Sequence, residues 1–289
     1  MSFDDDQKLI KAAETGNTAE IRNLLDVHPI WKWLGLSVDI NGENETGMTP
    51  LRAAVANGHL ETAEALIDAG AKIDAFGGPN CFMAIHLAVI HGRDDIVSML
   101  LKKGANPCSE AALRITALHL AVSEGRISIA KTLLDAGAEI NFPDMFGHTP
   151  MHFAAQLGNG EMMAFLLERG ATTGHHTTFE CSPLGSTVRN GQCDLARMLL
   201  DAGAKADESA DNEGNTPLHL AAMDHDAEMV KLLLSFGAKA DIMNQHEQTA
   251  VDVWPELAKL LPKPGEEPRP APDPAPRHPH PKAPVSPKP

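Results

Sequence analysis

The chain has 289 residues, 43% of them hydrophobic but only 4% aromatic, with no tyrosine and a formal net charge of −15. From Pro262 onward five Lys/Arg face three Asp/Glu, so the rest of the chain carries −17. A body this acidic repels phosphate backbones, which excludes nucleic acid as the expected partner and favours a basic protein surface and a monomeric free state.

Four cysteines (Cys81, Cys108, Cys181 and Cys193) show neither CxxC spacing nor a dense framework, and read as free thiols of a reducing compartment. The start, Met1-Ser2-Phe3-Asp4-Asp5-Asp6, is acidic where a secretory signal would be basic and then apolar. No run of about 18 apolar residues occurs, so no membrane association is expected and the cytosol is the expected address.

In chain order, the first predicted element is a helix pair over residues 5–27, apolar at Leu9, Ile10, Ala12, Ala13, Ile21, Leu24 and Leu25. Its polar outward side suits a terminal cap, here assigned to residues 1–30. An insertion at 31–43 follows, around Trp31-Lys32-Trp33. Leu25 to Thr49 is 24 steps against 15 from Leu134 to Thr149, which makes it about nine residues long. Two readings are open: a loop covering the first repeat's core, or an aromatic anchor for a partner.

Residues 44–262 then keep a beat. A motif of the form Thr-Pro-Leu-His-x-Ala, clearest at Thr149–Ala154 and Thr216–Ala221, places its first position at Thr49, Met83, Thr116, Thr149, Ser182, Thr216 and Thr249. The steps are 34, 33, 33, 33, 34 and 33 residues. A second marker stays in phase: Gly70-Ala71, Gly104-Ala105, Gly137-Ala138, Gly170-Ala171, Gly203-Ala204 and Gly237-Ala238.

Within one unit, 147–174, Thr149 caps an inner helix that Pro150 begins, its hydroxyl accepting a free N–H of the first turn. Gly158 ends that helix, an outer helix buries Met162, Met163, Phe165, Leu166 and Leu167, and Gly170-Ala171 stops it. The count is six full repeats, then a closing half repeat in which Asp252 replaces the motif's His.

The period and motif resemble the ankyrin repeat, a β-turn and two antiparallel helices stacked into a solenoid. The resemblance covers residues 4 to 262 and implies an all-α ankyrin-repeat solenoid that works by binding proteins. It also implies that His86, His119, His152 and His219 tie adjacent turns together through backbone hydrogen bonds, a structural and not a metal-binding use.

The fifth repeat departs from the pattern. Gly185 stands in the His slot and Thr187 in the Ala slot, so this joint is expected to be the weakest; a helix glycine alone costs about 1 kcal/mol against alanine. In the sixth, His225 occupies the place of Gly158, a position of positive φ that His tolerates better than most residues.

No Gly-rich phosphate loop, His-Glu-x-x-His or Gly-x-Ser-x-Gly elbow is present, and the repeats leave no stretch for a catalytic domain. His175-His176 with Cys181 matches no zinc spacing. The expectation is therefore a non-enzyme without cofactor or metal.

Positions the repeat does not need are free to bind, namely the turn tips and the inner-helix ends. They select Phe82, Ile90, His91, Leu113, Ile115, Met145, Phe146, Gln156, Leu157, Phe179 and Arg189 as partner contacts on an expected concave face. For Phe82, Phe146 and Phe179, packing of turn against turn is the competing assignment. The expected role is an adaptor, scaffold or inhibitor for a protein partner. The alternatives are a structural spacer or an enzyme with an unrecognised site.

The last segment, 263–289, is expected to be disordered and to sample polyproline II, with twelve prolines counted from Pro262. Its PxxP spacings at Pro276/Pro279, Pro281/Pro284 and Pro284/Pro287 lack the flanking basic residue usual in SH3 ligands, which favours a spacer.

Overall fold

Helix starts in the computed structural model fall where the sequence places its caps. Residues 3–25, 38–174, 177 and 182–261 are described, with backbone only for 3–5. The Trp31/Trp33 insertion up to residue 37, Phe179, the His175-His176/Cys181 group and the Pro-rich segment lie outside the described residues. The chain divides into two compact units, residues 1–145 and 146–289.

In the first unit, α1 (Phe3–Glu14) and α2 (Thr18–Leu25) form the opening pair. Three inner/outer pairs follow: α3 (Pro50–Asn57) with α4 (Leu60–Asp68), α5 (Ala84–Ile90) with α6 (Asp94–Lys102), and α7 (Ala117–Ser123) with α8 (Ile127–Asp135). Inner helices stack α1 on α3 on α5 on α7, and outer helices α2 on α4 on α6 on α8. The seam between the layers is filled by small and aliphatic side chains, among them Leu51, Ala54, Leu66, Ile85, Ile96, Leu100, Leu118, Ile129 and Leu133, all fully buried.

The second unit repeats the plan. The pairs are α9 (Pro150–Gln156) with α10 (Gly160–Glu168), α11 (Pro183–Arg189) with α12 (Cys193–Asp201), and α13 (Pro217–Met223) with α14 (Ala227–Ser235). A short α15 (Ala250–Val253) and a 3-10 turn, Pro255–Lys259, close it. No strand occurs among the described residues, only the isolated bridges Gly77–Phe82 and Glu110–Thr116.

The histidine slot explains how one repeat holds the next. His86 Nδ1 accepts the Met83 N–H at 3.2 Å, which leaves the proton on Nε2, and Nε2 donates to the Ser109 carbonyl of the following turn at 3.1 Å. His219 does the same between Thr216 (3.2 Å) and the Gln248 carbonyl (2.9 Å). Burial pushes the His86 pKa down to about 4, against the raising effect of its carbonyl partners Ser109 and Ile115, so the neutral ring is the working form.

At Thr149 the expected cap is part of a capping box, in which the Thr149 side chain takes the His152 N–H while the His152 side chain reaches back to the Thr149 backbone. His152 Nδ1 accepts the Thr149 N–H at 3.1 Å, and the hydroxyl, 2.9 Å from that nitrogen, donates to it while its lone pairs stay available to the helix start.

Substituted slots behave according to their chemistry. Arg52, buried in the first repeat, holds the Gly47 carbonyl with Nη1 and the Gly77 carbonyl with Nη2 at 2.8 Å, a longer side chain making the same tie. Asp252 accepts the Thr249 N–H (2.8 Å) and hydroxyl (2.7 Å) and ends the pattern locally. Gly185 offers nothing; a Cβ there would lie 2.9 Å from the Ala210 Cβ, so the next turn has moved into the space. Thr187, fully buried beside it, donates its hydroxyl to the Leu184 carbonyl at 2.8 Å.

A second tie joins the inner-loop glycines to the following repeat. A Cβ on Gly92 would collide with the Arg126 guanidinium, whose Nη2 reaches the Ile90 carbonyl at 3.2 Å. In the second unit Gln192 covers Gly158 in the same way, while Asn190 Nδ2 donates to the Gln156 carbonyl at 3.3 Å. His225 adopts φ +53° in place of such a glycine.

Candidate functional site

The selected positions fall into two sets, one on each unit. On the first, Leu113 sits on a hairpin tip between Glu110 and Thr116, closed by Ala111 N–H to Ile115 carbonyl at 2.8 Å. Both central residues, Leu113 and Arg114, have φ +60°. Such turns favour Gly and Asn, because a Cβ at positive φ crowds the carbonyl. Leu113 is 55% exposed all the same, and Met145, 51% exposed, donates its N–H to the Leu113 carbonyl at 2.9 Å. Two exposed apolar residues on successive tips are thus joined backbone to backbone.

Around them the arrangement is mixed. The Arg114 guanidinium lies 4.7 Å from the Phe142 ring centre and 3.1 Å from Glu110 Oε2, which fixes the tip from its polar side. Ile115 and Ile90 are half-buried and His91 is exposed. Phe82 is half-buried and stacks on His86, with ring centres 5.9 Å apart at 26°, so much of its face is spent inside its own repeat.

On the second unit, Leu157 is 57% exposed just past the end of α9, beside exposed Gln156. Phe146 lies edge-on to His148 at 6.2 Å, and His148 in turn meets His152 and Phe153. Arg189 is exposed at the end of α11 and pairs with Asp211 at 3.6 Å.

Sequence reasoning passed over Phe76, 62% exposed in the Phe76-Gly77-Gly78-Pro79-Asn80 turn, and Met243 on a late tip. The signal for Phe76 was present: a large aromatic in a Gly/Pro/Asn run has no helix face to join. Met243 carried none, since isolated exposed apolar residues are ordinary.

Among the described residues no three His, Cys, Asp or Glu side chains converge as a metal ion would require. Cys81, Cys108 and Cys193 are free thiols. Burial and the nearby carboxylates of Asp226, Glu228 and Asp194 push the Cys193 pKa up, the opposite of what a nucleophile needs. No described helix is long and apolar enough to cross a membrane.

Comparison with known proteins agrees with this architecture. A family profile described as "Ankyrin repeats (3 copies)" matches residues 4–77, 85–177 and 169–246. BRCA1-associated RING domain protein 1 of Caenorhabditis elegans is 44% identical over 64 residues, which are 22% of this chain but only 9% of that protein's length. The human Notch-regulated ankyrin repeat-containing protein is 30% identical over 93 residues, 32% of this chain and 76% of its own. Among solved structures, the ankyrin repeat domain of Bcl-3, a unique member of the IkappaB protein family, superposes with a TM-score of 0.68 at 28% identity, covering 75% of this chain and 99% of that domain. The human ASB11 ankyrin repeat domain gives 0.64 at 26% identity, covering 75% and 100%. With the profile spanning most of its residues and the same Thr-capped helix pairs in its structure, the chain belongs to the ankyrin-repeat family.

Proposed function

We propose that the chain is a non-catalytic protein-binding module, and that the tip-bearing face of its first unit, the face expected to be concave, grips a protein partner. The observation carrying this is the Leu113–Met145 pair: two large apolar side chains kept exposed on adjoining tips, one of them on a backbone at φ +60°. Strain retained at a solvent-exposed apolar residue serves contact better than it serves folding. Phe82, Ile90, His91 and Ile115 complete the contact set proposed for this unit, and a preformed tip loses little entropy on docking. Phe146, Gln156, Leu157 and Arg189 are contact positions of the second unit in their own right, and Phe179 remains a sequence-based member of that set. The acidity of the chain favours a basic partner surface, with salt-sensitive association.

Covering the exposed half of Leu113 and of Met145 is worth about 1 kcal/mol each. Replacing both by Asp should therefore weaken capture of the native partner roughly 30-fold, the conversion of about 2 kcal/mol. Far-UV circular dichroism should stay unchanged, because neither side chain belongs to the core. Undiminished capture would transfer the role to another face. A spacer would keep every partner whatever is done to these tips.

A further inference from the structure

The last rung of the second unit carries an aromatic pair that is partly open to water. Trp254, half-buried at the end of α15, lies edge-on to His225, ring centres 5.4 Å apart at 69°. His225 is exposed and held at φ +53°, and Met223 beside it is 42% exposed. Exposed carboxylates lie close to the rings along the chain: Asp224 next to His225, Glu228 on α14 and Glu256 on the closing 3-10 turn two positions after Trp254. No described cation pairs with these three, although Lys231 and Lys259 share their elements. Asp226 is spent capping the Glu228 and Met229 N–H groups at 3.0 and 2.9 Å.

The chemistry that fits rings bordered by carboxylates is a proline-rich strand bearing cations. Prolines stack on flat aromatic faces at little entropic cost, and Lys or Arg between them meets the acids. The chain supplies such a strand. Residues 276–288 hold Arg277, Lys282 and Lys288 among five prolines without one side-chain carboxylate. The fourteen residues 262–275 precede it, and at about 3.1 Å each they reach roughly 40 Å from Leu261, itself only seven positions past Trp254.

We propose that residues 276–288 dock in cis on the Met223/His225/Trp254 patch, prolines against the two rings and Arg277 and Lys282 toward Asp224 and Glu256. Tethering makes even a weak strand effective, because any linker long enough to span the gap makes the docking intramolecular. The patch is thereby reserved for whatever can displace a basic, proline-rich peptide. This inference does not depend on the reading of the first unit.

The test uses the full chain with Trp31→Phe and Trp33→Phe, which leaves Trp254 as the sole tryptophan in a protein without tyrosine. Acrylamide quenching of its emission should rise two- to three-fold when Arg277, Lys282 and Lys288 are all changed to Glu. It should fall back when Asp224→Lys and Glu256→Lys are added to that reversed strand. Shielding must be equal at low and high protein concentration. Shielding that grows with concentration would assign the strand to a second copy and overturn the cis arrangement, as would identical quenching in all variants. On the unaltered chain, zero-length carboxyl–amine cross-linking should join Lys282 or Lys288 to Asp224, Glu228 or Glu256. The Lys103–Asp68 pair, 2.6 Å apart, is the positive control. Control links without any patch link would refute the proposal even if the tryptophan variants failed to fold.

Discussion

Gly185→Ala sets two rules against each other. Alanine inside a helix is favoured over glycine by about 1 kcal/mol, so propensity alone predicts a more stable fifth repeat. The structure predicts the reverse. The added methyl would stand 2.9 Å from the Ala210 Cβ, 3.2 Å from its Cα and 3.3 Å from its carbonyl oxygen. Ala210 cannot swing aside; it is fully buried and its N–H is tied to the Asn215 carbonyl at 2.6 Å. Overpacking of this kind costs about 1–3 kcal/mol, so the net expectation is destabilisation by about 1 kcal/mol. Urea unfolding followed by circular dichroism gives the sum. Hydrogen exchange over α11 and α12 localises it, which matters in a repeat array whose unfolding need not be two-state. Combining Gly185→Ala with Ala210→Gly should recover most of the loss. If Gly185→Ala stabilises the chain by the full propensity gain, and Ala210→Gly leaves that gain unchanged, the packing argument is wrong.

Two further outcomes follow from the slot chemistry. Arg52→Ala should cost about 2–4 kcal/mol, since it leaves the Gly47 and Gly77 carbonyls without their donor, and exchange should quicken in both turns; a loss below about 0.5 kcal/mol would show water replacing the guanidinium. His86 has a folded pKa of about 4, below the value near 6.5 of an unfolded chain, so between these limits only the unfolded state binds the proton. Stability is therefore fully present above pH 6.5 and falls as the pH drops toward 4, by on the order of 3 kcal/mol from this residue. Comparing urea midpoints at pH 7 and pH 4.5 should show a smaller drop for His86→Gln than for the parent, and an equal drop would refute the assignment.

The fold was legible because each repeat writes its own punctuation. Thr149, Pro150, Gly158 and Gly170 act on the backbone within a few residues, and so do most of their counterparts in the other repeats. Partners one repeat away were not legible. Nothing local announces that Arg52 reaches Gly77 or that Ala210 fills the space over Gly185. For the same reason Gly185 read as a pure loss, although its neighbour is fitted to it.

The candidate contacts were legible as positions but not as surfaces. Leu113, Met145 and Leu157 stand open to water, whereas Phe82 leans on His86. Exposure at a turn tip depends on which ring the chain folds beneath it, and periodicity carries no record of that. The φ of +60° at Leu113 was equally hidden, since neither Leu113 nor Arg114 is a residue that usually signals such a turn.

The coverage of inner-loop glycines by the next repeat sets limits on how such an array can be rearranged. His59 fills the place of the missing Cβ on Gly16, Arg93 that on Gly58 and Arg126 that on Gly92 in the first unit, and Gln192 that on Gly158 in the second. Each hole and its plug belong to different repeats, so excising or transplanting a single repeat orphans a plug on one side and a hole on the other. A chimera built from this chain has to exchange hole and plug together. Gene duplication faces the same matching condition, and a copied repeat can be inserted without damage only where its bulky residue meets a glycine already waiting for it.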